Sequence, residues 1–394
     1  MANNNENKIL NVPNLRFPEF SGEWVTKSIN DLAVVIGGGT PDTTVKSYWD
    51  GEIQWFTPSE IGKNKYVDSS LRTITEVGLN NSSAKLLPPN TILLSSRATI
   101  GECSLSLREC ATNQGFQCLV SKKCNVDFLY YLIQTKKKDL IRKSCGSTFL
   151  EISANEVRKI QVSVPSDVEQ QKIAELLSLI DERIATQNKI IEKYESLIKG
   201  LNNILLYGTE GKYVCLGDIL LERSERSRTN NQHEVLSSTV KGIFSQREYF
   251  SKDIASENNV GYKIIRLHDV VLSPQNLWMG NINYNDRFDI GIVSPSYKVF
   301  SIADGYDNQF VAAMLKTYRA LYSYMMVSEQ GASIVRRNLN MEAFLQLVFK
   351  IPSLDKQREI GYAISLLKYQ LKTANKIIRA YISQKKYLLR QMFI

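Results

Sequence analysis

The sequence predicts an α+β protein: two tandem mixed α/β domains separated by two long helices, which form an antiparallel coiled coil with pseudo-twofold symmetry. Three observations predict this fold. One unit occurs twice along the chain, each copy ends in a long heptad seam, and the stretch before each seam holds short apolar runs bounded by Gly, Pro, Asn and Asp. With 394 residues, 43% of them hydrophobic and 23% charged, the chain is long enough for two ordinary globular cores.

The duplication is clearest at the two edges of the repeated unit. One constant shift (352 − 165 = 187) places Pro165 on Pro352 and Gln170 on Gln357. The same shift aligns positions 29–32 with 216–219, whereas the middles of the two copies differ. This spacing far exceeds the roughly 20 to 50 residues of a solenoid repeat. We therefore expect two copies of one fold that recognise different things.

Each copy ends in a predicted helix whose apolar or near-apolar residues are spaced alternately four and three apart, with one polar position in each seam, Gln187 and Lys385. The first seam consists of Ile173, Leu177, Ile180, Ile184, Gln187, Ile191, Tyr194, Ile198, Leu201 and Leu205. The second consists of Ile360, Ile364, Leu367, Leu371, Ala374, Ile378, Tyr381, Lys385, Leu388 and Met392. A helix of about 54 Å with one narrow apolar stripe needs a partner. The order of the domains along the chain makes the pair antiparallel.

The charges of the two helices support pairing of one with the other. Residues 166–206 contain five Lys/Arg and seven Asp/Glu, a net charge of −2, and residues 353–394 contain nine and two, a net charge of +7. Opposite charges favour this pairing over self-pairing in a homodimeric coiled coil, which is the alternative. Because the second helix holds most of the net charge of +9, the globular domains are only mildly basic, and bulk charge does not identify them as DNA-binding.

We divide the chain into a disordered N-terminus (1–11), a first domain (12–165), a central helix (166–207), a second domain (208–351) and a C-terminal helix (352–394). In the first domain, strands are predicted at 34–36, 53–56, 91–94 and 116–120, with a helix at 126–140. In the second, they are predicted at 263–267, 270–272 and 297–302, with a helix at 308–326.

Polar loop residues in both domains are the candidates for contacts to nucleic acid. Arg, Gln and Asn can contact guanine or adenine edges in a bidentate manner, and Gly, Ser and Thr suit phosphates. An ordinary solvated loop is the alternative at each position. The candidates in the first domain are Gly38, Gly39, Thr40, Arg97, Thr99, Asn113, Gln114, Ser147 and Thr148. Those in the second are Arg223, Arg226, Arg228, Gln275, Asn276, Trp278, Arg336 and Arg337.

No catalytic, cofactor or metal site is expected in the chain itself. The Gly run at 37–39 follows an apolar strand, but a Pro and an Asp stand where a nucleotide-binding helix would begin. Pro88-Pro89 lacks the flanking residues of an adenine-methyltransferase motif, and there is no P-loop. The six cysteines form no C-x-x-C pair, and His233 and His268 have no triad context.

The composition also indicates a compartment. The Asn-rich start has no apolar core of a signal peptide, and no run of 18 apolar residues occurs, so neither a secretory signal nor a transmembrane helix is expected. Reduced, partly buried thiols fit a cytoplasmic protein.

These motifs together resemble the specificity (S, HsdS) subunits of type I restriction-modification systems. In the first copy the resemblance lies in Gly-Gly-Gly-Thr-Pro-Asp at 37–42, Gly-Glu-Ile-Gln-Trp-Phe at 51–56 and Glu-Gln-Gln-Lys-Ile at 169–173. The second copy repeats Ile-Pro at 351–352 and Lys-Gln-Arg-Glu-Ile at 356–360. It departs from the pattern in a charged loop at 223–228 where the first copy has the Gly-rich stretch.

The resemblance implies that each domain is a target-recognition domain, which reads one half of a split, asymmetric double-stranded DNA target. The helices would fix the spacing of the halves and dock two methyltransferase (M) subunits, which use S-adenosylmethionine. ATP and Mg would be used by restriction (R) subunits that join through the complex, so this chain holds no cofactor and is no enzyme. The alternatives are a non-catalytic coiled-coil scaffold that binds only proteins, and a self-sufficient methyltransferase.

Overall fold

A computed structural model describes residues 10–146, 150–207, 210–249, 258–330 and 336–394. The chain divides into two compact units: Met1–Lys189 together with Lys376–Ile394, and Ile190–Asn375. Each of the two long helices therefore contributes one part to each unit. Among the described residues, no helix is long and apolar enough to cross a membrane.

The first unit contains a mixed α/β domain followed by the first long helix. Its strands are β1 (Val25–Ser28), β2 (Ala33–Gly37), β3 (Trp49–Phe56), β4 (Tyr66–Val67), β5 (Arg72–Ile74), β6 (Ile92–Leu94), β7 (Cys103–Ser106), β8 (Cys110–Thr112), β9 (Gln117–Ser121) and β10 (Gln161–Val164). Its helices are α1 (Ile29–Leu32), α2 (Glu76–Asn80), α3 (Val126–Thr135), α4 (Lys137–Arg142), α5 (Ala154–Arg158) and α6 (Asp167–Tyr207), the last continuing into the second unit.

The second unit begins and ends with the same elements as the first but differs from it in the middle. Its strands are β11 (Lys212–Cys215), β12 (Leu220–Arg223), β13 (Leu236–Thr239), β14 (Gly242–Ser245), β15 (Lys263–Arg266), β16 (Val270–Leu272), β17 (Ile282–Tyr284), β18 (Ile290–Val293), β19 (Lys298–Ile302), β20 (Ser328–Gln330), β21 (Arg337–Leu339) and β22 (Val348–Ile351). Its helices are α7 (Leu216–Ile219), α8 (Gln246–Tyr249), α9 (Asn308–Met314), α10 (Tyr318–Met326), α11 (Met341–Leu345) and α12 (Leu354–Gln391), which returns to the first unit.

The edges of the two copies correspond in sequence register. β1 pairs with β10 through Val25↔Val164, and β11 pairs with β22 through Lys212↔Ile351, so both partners move by the shift that aligns the two prolines. Both long helices also start at the same point, since α6 begins at 167 and α12 at 354. The main sheets share one strand order, β2-β9-β6-β7 in the first unit and β12-β19-β16-β17 in the second. The predicted fold class and duplication are confirmed.

The predicted helices at 126–140 and 308–326 are wrong in one respect, because each is two helices. In the first unit the C-terminal cap of α3 is Lys136, whose N–H donates to the Ile133 carbonyl three residues back at 3.0 Å, and the Thr135 hydroxyl bonds to the Leu132 carbonyl at 2.7 Å. In the second, Thr317 is extended and its hydroxyl accepts from the Ala320 N–H at 3.2 Å, which starts a new helix.

The ends of the predicted helix seams lie in the cores of the two units. In the first unit, Ile173 and Leu177 of α6 pack in one cluster with Leu388 and Met392 of α12. Asp181 pairs with Lys385 at 2.7 Å, and Arg183 lies 5.9 Å from the Tyr381 ring centre. Because the positions on α6 rise as those on α12 fall, the two helices are antiparallel there. In the second unit, Ile360 and Ile364 of α12 are buried in that unit's own core.

Candidate nucleic-acid interface

Three loops of the first unit meet at one end of its main sheet. Gly37, the last residue of β2, pairs with Gln117, the first residue of β9. Ser95, just after β6, bridges Phe116 on the other side of β9. The loops at 38–40, 95–102 and 113–116 therefore lie side by side, and we call them the loop edge of the first unit.

The Gly-rich loop and the Asn113-Gln114 loop contact each other directly. The Gly39 N–H donates to the Thr112 carbonyl at 2.8 Å, and the Thr40 hydroxyl donates to the Gln114 side-chain oxygen. A Cβ on Gly38 would lie 2.0 Å from the Asn113 carbonyl oxygen. The glycines are thus required by close packing of two loops, and this packing leaves Gln114 exposed.

Arg97 and Thr99 lie on the neighbouring loop of the same edge. The Arg97 guanidinium pairs with Glu151 at 2.8 Å, and the Thr99 hydroxyl donates to Ser95 Oγ at 3.1 Å. Ala98 between them is held at a φ of 51°, a left-handed conformation that is costly for a residue with a Cβ. This loop borders a cavity of about 750 Å³. The other two candidates, Ser147 and Thr148, lie outside the described residues.

The second unit places its loops in the same way. Arg223, the last residue of β12, pairs with Val299 at the start of β19. Leu272, the last residue of β16, pairs with Lys298 in β19 and with Ile282 in β17. The loops at 224–228, 273–281 and 294–297 form the loop edge of the second unit, which corresponds strand for strand to that of the first.

The three arginines at the end of β12 and in the loop after it have different surroundings. Arg223 lies 3.1 Å from Asp269, whose side chain is only 3% exposed, and 3.1 Å from Glu225. Burial raises the pKa of Asp269, while Arg223 is among the groups that oppose this rise. Arg223 therefore holds the loop and would have to leave a buried carboxylate to reach DNA. Arg226 donates to the Gly261 carbonyl at 3.0 Å, and Arg228 is exposed.

The remaining candidates of the second unit cluster around Arg337. Its N–H donates to the Gln275 carbonyl at 3.1 Å, and its guanidinium carbon lies 5.7 Å from the Trp278 ring centre. The Asn276 carbonyl accepts from the Met279 N–H at 3.2 Å and closes the short helical turn that carries Trp278. Gln275 and Arg336 are exposed. A cation stacked on an aromatic ring beside exposed amide and guanidinium groups suits contacts to a nucleic acid.

One residue of this region was missed by sequence reasoning. Lys316, between α9 and α10, donates from Nζ to the Gly280 carbonyl at 2.9 Å and to Asn283 Oδ1 at 2.7 Å. Burial lowers its pKa to about 8. It supports the end of the 273–281 loop from a segment 36 residues away, so no local sequence signal marks it.

The geometry first defines a class of protein. The chain is a duplicated protein, with two copies of one mixed α/β domain that each have a polar loop edge and continue into a long helix. Where the structure describes the chain, no cluster of three or more His, Cys, Asp or Glu is arranged to hold a metal ion.

Part of the chain matches one family of known proteins. Residues 21–196 match the Type I restriction modification DNA specificity domain, which confirms the resemblance seen in the sequence. The chain is 40% identical over 179 residues to the Type I restriction enzyme MjaIX specificity subunit of Methanocaldococcus jannaschii, which is 43% of this chain and 41% of that protein. It is 31% identical over 175 residues to the EcoR124I/EcoR124II specificity subunit of Escherichia coli, 42% of this chain and 43% of that protein. The matches thus span less than half of these relatives.

The fold has counterparts over almost the whole chain. The crystal structure of a type I restriction-modification S subunit from M. genitalium covers 97% of this chain and 99% of its own, with a TM-score of 0.61 and 16% identity. A second similar chain comes from a structure whose description concerns complex assembly and conformational transition of the type I R-M system. The match covers 94% of this chain and 96% of that chain, with a TM-score of 0.54 and 12% identity. At these identities the likeness concerns the fold.

Proposed function

We propose that this chain is the DNA sequence-specificity subunit of a type I restriction-modification complex, in which each unit reads one half of a bipartite, asymmetric target. One observation carries the proposal. The frame of the two units keeps a single register, Val25↔Val164 in one and Lys212↔Ile351 in the other, while the same sheet edge in both carries polar loops of different sequence. Different loops on one frame suit two different half-sites.

Exposed side chains at the loop edges, and Arg336 beside the loop edge of the second unit, have the chemistry for base readout. Gln114 in the first unit can make paired hydrogen bonds to adenine, and Arg228 and Arg336 in the second can do so to guanine. Arginines already in ion pairs, such as Arg97 and Arg223, are better placed to shape the loops. Loop amides and hydroxyls would bind phosphates and fix the register on the duplex.

We further propose that the long helices set the spacing of the half-sites and dock two methyltransferase subunits. On α12, Tyr362, Leu366 and Tyr369 follow one another at spacings of four and three, and their side chains are 71%, 45% and 65% exposed. An apolar stripe of this kind on the side away from the core is typical of a protein-binding surface. Methyl transfer with S-adenosylmethionine, and ATP- and Mg-dependent restriction, would then belong to the partner subunits.

Selection from a random DNA library, with the methyltransferase partner present, tests the proposal. The wild-type chain should enrich one bipartite site. Gln114→Ala should relax only one half of that site and Arg228→Ala only the other, each with a loss of about 1–3 kcal/mol in discrimination. Each variant is thus the control for the other. Enrichment of no bipartite site, with the partner still bound, would favour a protein-binding scaffold.

A further inference from the structure

A buried glutamine lies in the first turn of each long helix. Gln170 of α6 is 3% exposed and Gln357 of α12 is 2% exposed. The side-chain nitrogen of Gln170 donates to the Pro165 carbonyl at 3.0 Å, and that of Gln357 donates to the Pro352 carbonyl at 3.0 Å. Each amide therefore ties the long helix to the end of the strand that precedes it.

The other end of each amide reaches the recognition domain. The Gln170 oxygen accepts from the backbone N–H of Asn125 at 3.1 Å, and the Gln357 oxygen accepts from that of Asp307 at 3.0 Å. Asn125 and Asp307 are the residues that cap α3 and α9, to whose N–H groups their side chains bond at 2.9 and 2.8 Å. One side chain thus joins three segments of its own unit.

The segment that each glutamine holds leads straight to the loop edge. Asn125 follows β9, whose first residue, Gln117, lies at the loop edge of the first unit. Asp307 follows β19, which starts at the loop edge of the second unit. A movement at the capping residue would therefore be carried along one strand to the residues proposed to touch DNA.

Both units have the contact between the glutamine and the capping residue, although the chain between these two residues differs between the units. The glutamines are 187 positions apart (357 − 170), but the capping residues are 182 apart (307 − 125). The stretch between the two contact points therefore differs in length between the copies. The same atoms still meet, at 3.1 Å in the first unit and 3.0 Å in the second. General packing would not require this identity of atoms.

We infer that Gln170 and Gln357 are positioning residues, which fix the angle between each recognition sheet and its long helix and so set the spacer length that the protein accepts. The inference rests on the proposed function. Two directional bonds to backbone groups, made by one buried side chain, resist rotation of the sheet on the helix. One additional base pair in the spacer moves a half-site by about 3.4 Å. A recognition sheet that could rotate on its long helix would tolerate this displacement.

The experiment selects sites from DNA in which both half-sites are fixed and the spacer varies in length, using the full chain with its methyltransferase partner. Wild type should prefer one length over its neighbours by about tenfold or more, and Gln170→Ala should reduce this preference to about threefold, the scale expected from losing bonds of this kind. Gln357→Ala should do the same, and the double variant should lose most of the preference. The half-site sequences should not change.

Matched controls lie at neighbouring positions. Gln171 is exposed and bonds along its own helix, to Glu175 at 2.9 Å, and Arg358 is exposed beside Gln357. Gln171→Ala and Arg358→Ala should keep the wild-type spacer preference. If alanine prevents folding, Gln170→Glu keeps the acceptor for Asn125 and loses the donor to Pro165, and it should broaden the preference partially.

Two results would overturn the inference. One is an alanine or glutamate variant of Gln170 or Gln357 that has the wild-type unfolding temperature and also keeps the wild-type preference for spacer length. The other is a change in half-site sequence with the spacer preference intact. Failure of the proposed function looks different, because the wild-type chain would then enrich no bipartite site at all.

Discussion

Replacing Lys385 by Met removes the cation that faces Asp181 inside the helix pair of the first unit. The Nζ–Oδ1 distance is 2.7 Å, and the two side chains are only 17% and 14% exposed. Asp181 also accepts from the Tyr131 hydroxyl at 2.7 Å, and burial, with the Asp181 charge next, raises the pKa of Tyr131. The variant would leave a partly buried carboxylate that keeps its tyrosine bond but has lost its cation.

The structure gives the size of the effect. Removing one partner of a buried ion pair costs about 3–5 kcal/mol, and the partial exposure of both side chains, with the surviving tyrosine bond, places Lys385→Met near the lower end. For a unit of this size, about 3 kcal/mol corresponds to a fall in Tm of roughly 6–12 °C. Lys386→Met removes the same charge from an exposed neighbour and should lower Tm by less than about 1–2 °C, because surface charges contribute little.

The assay is thiol labelling during heating, because the buried cysteines report on the first unit alone. Cys103, Cys110 and Cys118 lie in that unit and are buried, and burial raises the pKa of each thiol to about 12. They should react only when it unfolds. Asp181→Leu combined with Lys385→Met should recover at least half of the loss, since no charge is then left without a partner. Equal effects of the 385 and 386 variants, or no recovery in the double variant, would refute the reasoning.

Three further outcomes follow from the loop edges. Gly39→Ala should abolish reading of the first half-site and leave the second intact in DNA selection, because the new Cβ would lie 2.3 Å from the Ala84 nitrogen; retained discrimination at both halves would contradict it. Cys145 is exposed and pairs through its backbone with Glu151, next to the Arg97 loop. Because base-specific binding exceeds non-specific binding, DNA that carries the target should slow thiol labelling of Cys145 at least about threefold relative to random DNA at the same salt concentration. Equal labelling rates would contradict a role of this loop edge in DNA binding. The pKa of Lys316 is about 8 in the folded unit, against an ordinary value of 10.5. Between these two values the unfolded chain binds more protons than the folded unit. Lys316 should therefore make the second unit more stable as the pH rises from about 8 to 10.5. Lys316→Met should flatten that rise in urea unfolding, and an unchanged slope would show that the lysine does not contribute to it.

The duplication and the helix seam were determined by the sequence alone. Residues that must face a partner helix recur every three or four positions, and this pattern needs no knowledge of the rest of the chain. The match of Val25↔Val164 with Lys212↔Ile351 shows that the alignment of the two copies was also an alignment of strands. The family resemblance came from these edges together with the motifs at 37–42 and 51–56 of the first copy.

The tertiary structure decided which polar residues stand together and what they do. In the sequence Lys385 interrupts an apolar seam. In the structure it forms an ion pair with Asp181, which lies 204 positions earlier (385 − 181). Arg223 and Arg228 look alike in sequence, yet one is held by a buried carboxylate and the other is exposed. Local periodicity specifies helices and strands because their contacts are close in sequence, whereas these pairings depend on strand order and loop packing, which bring distant segments together.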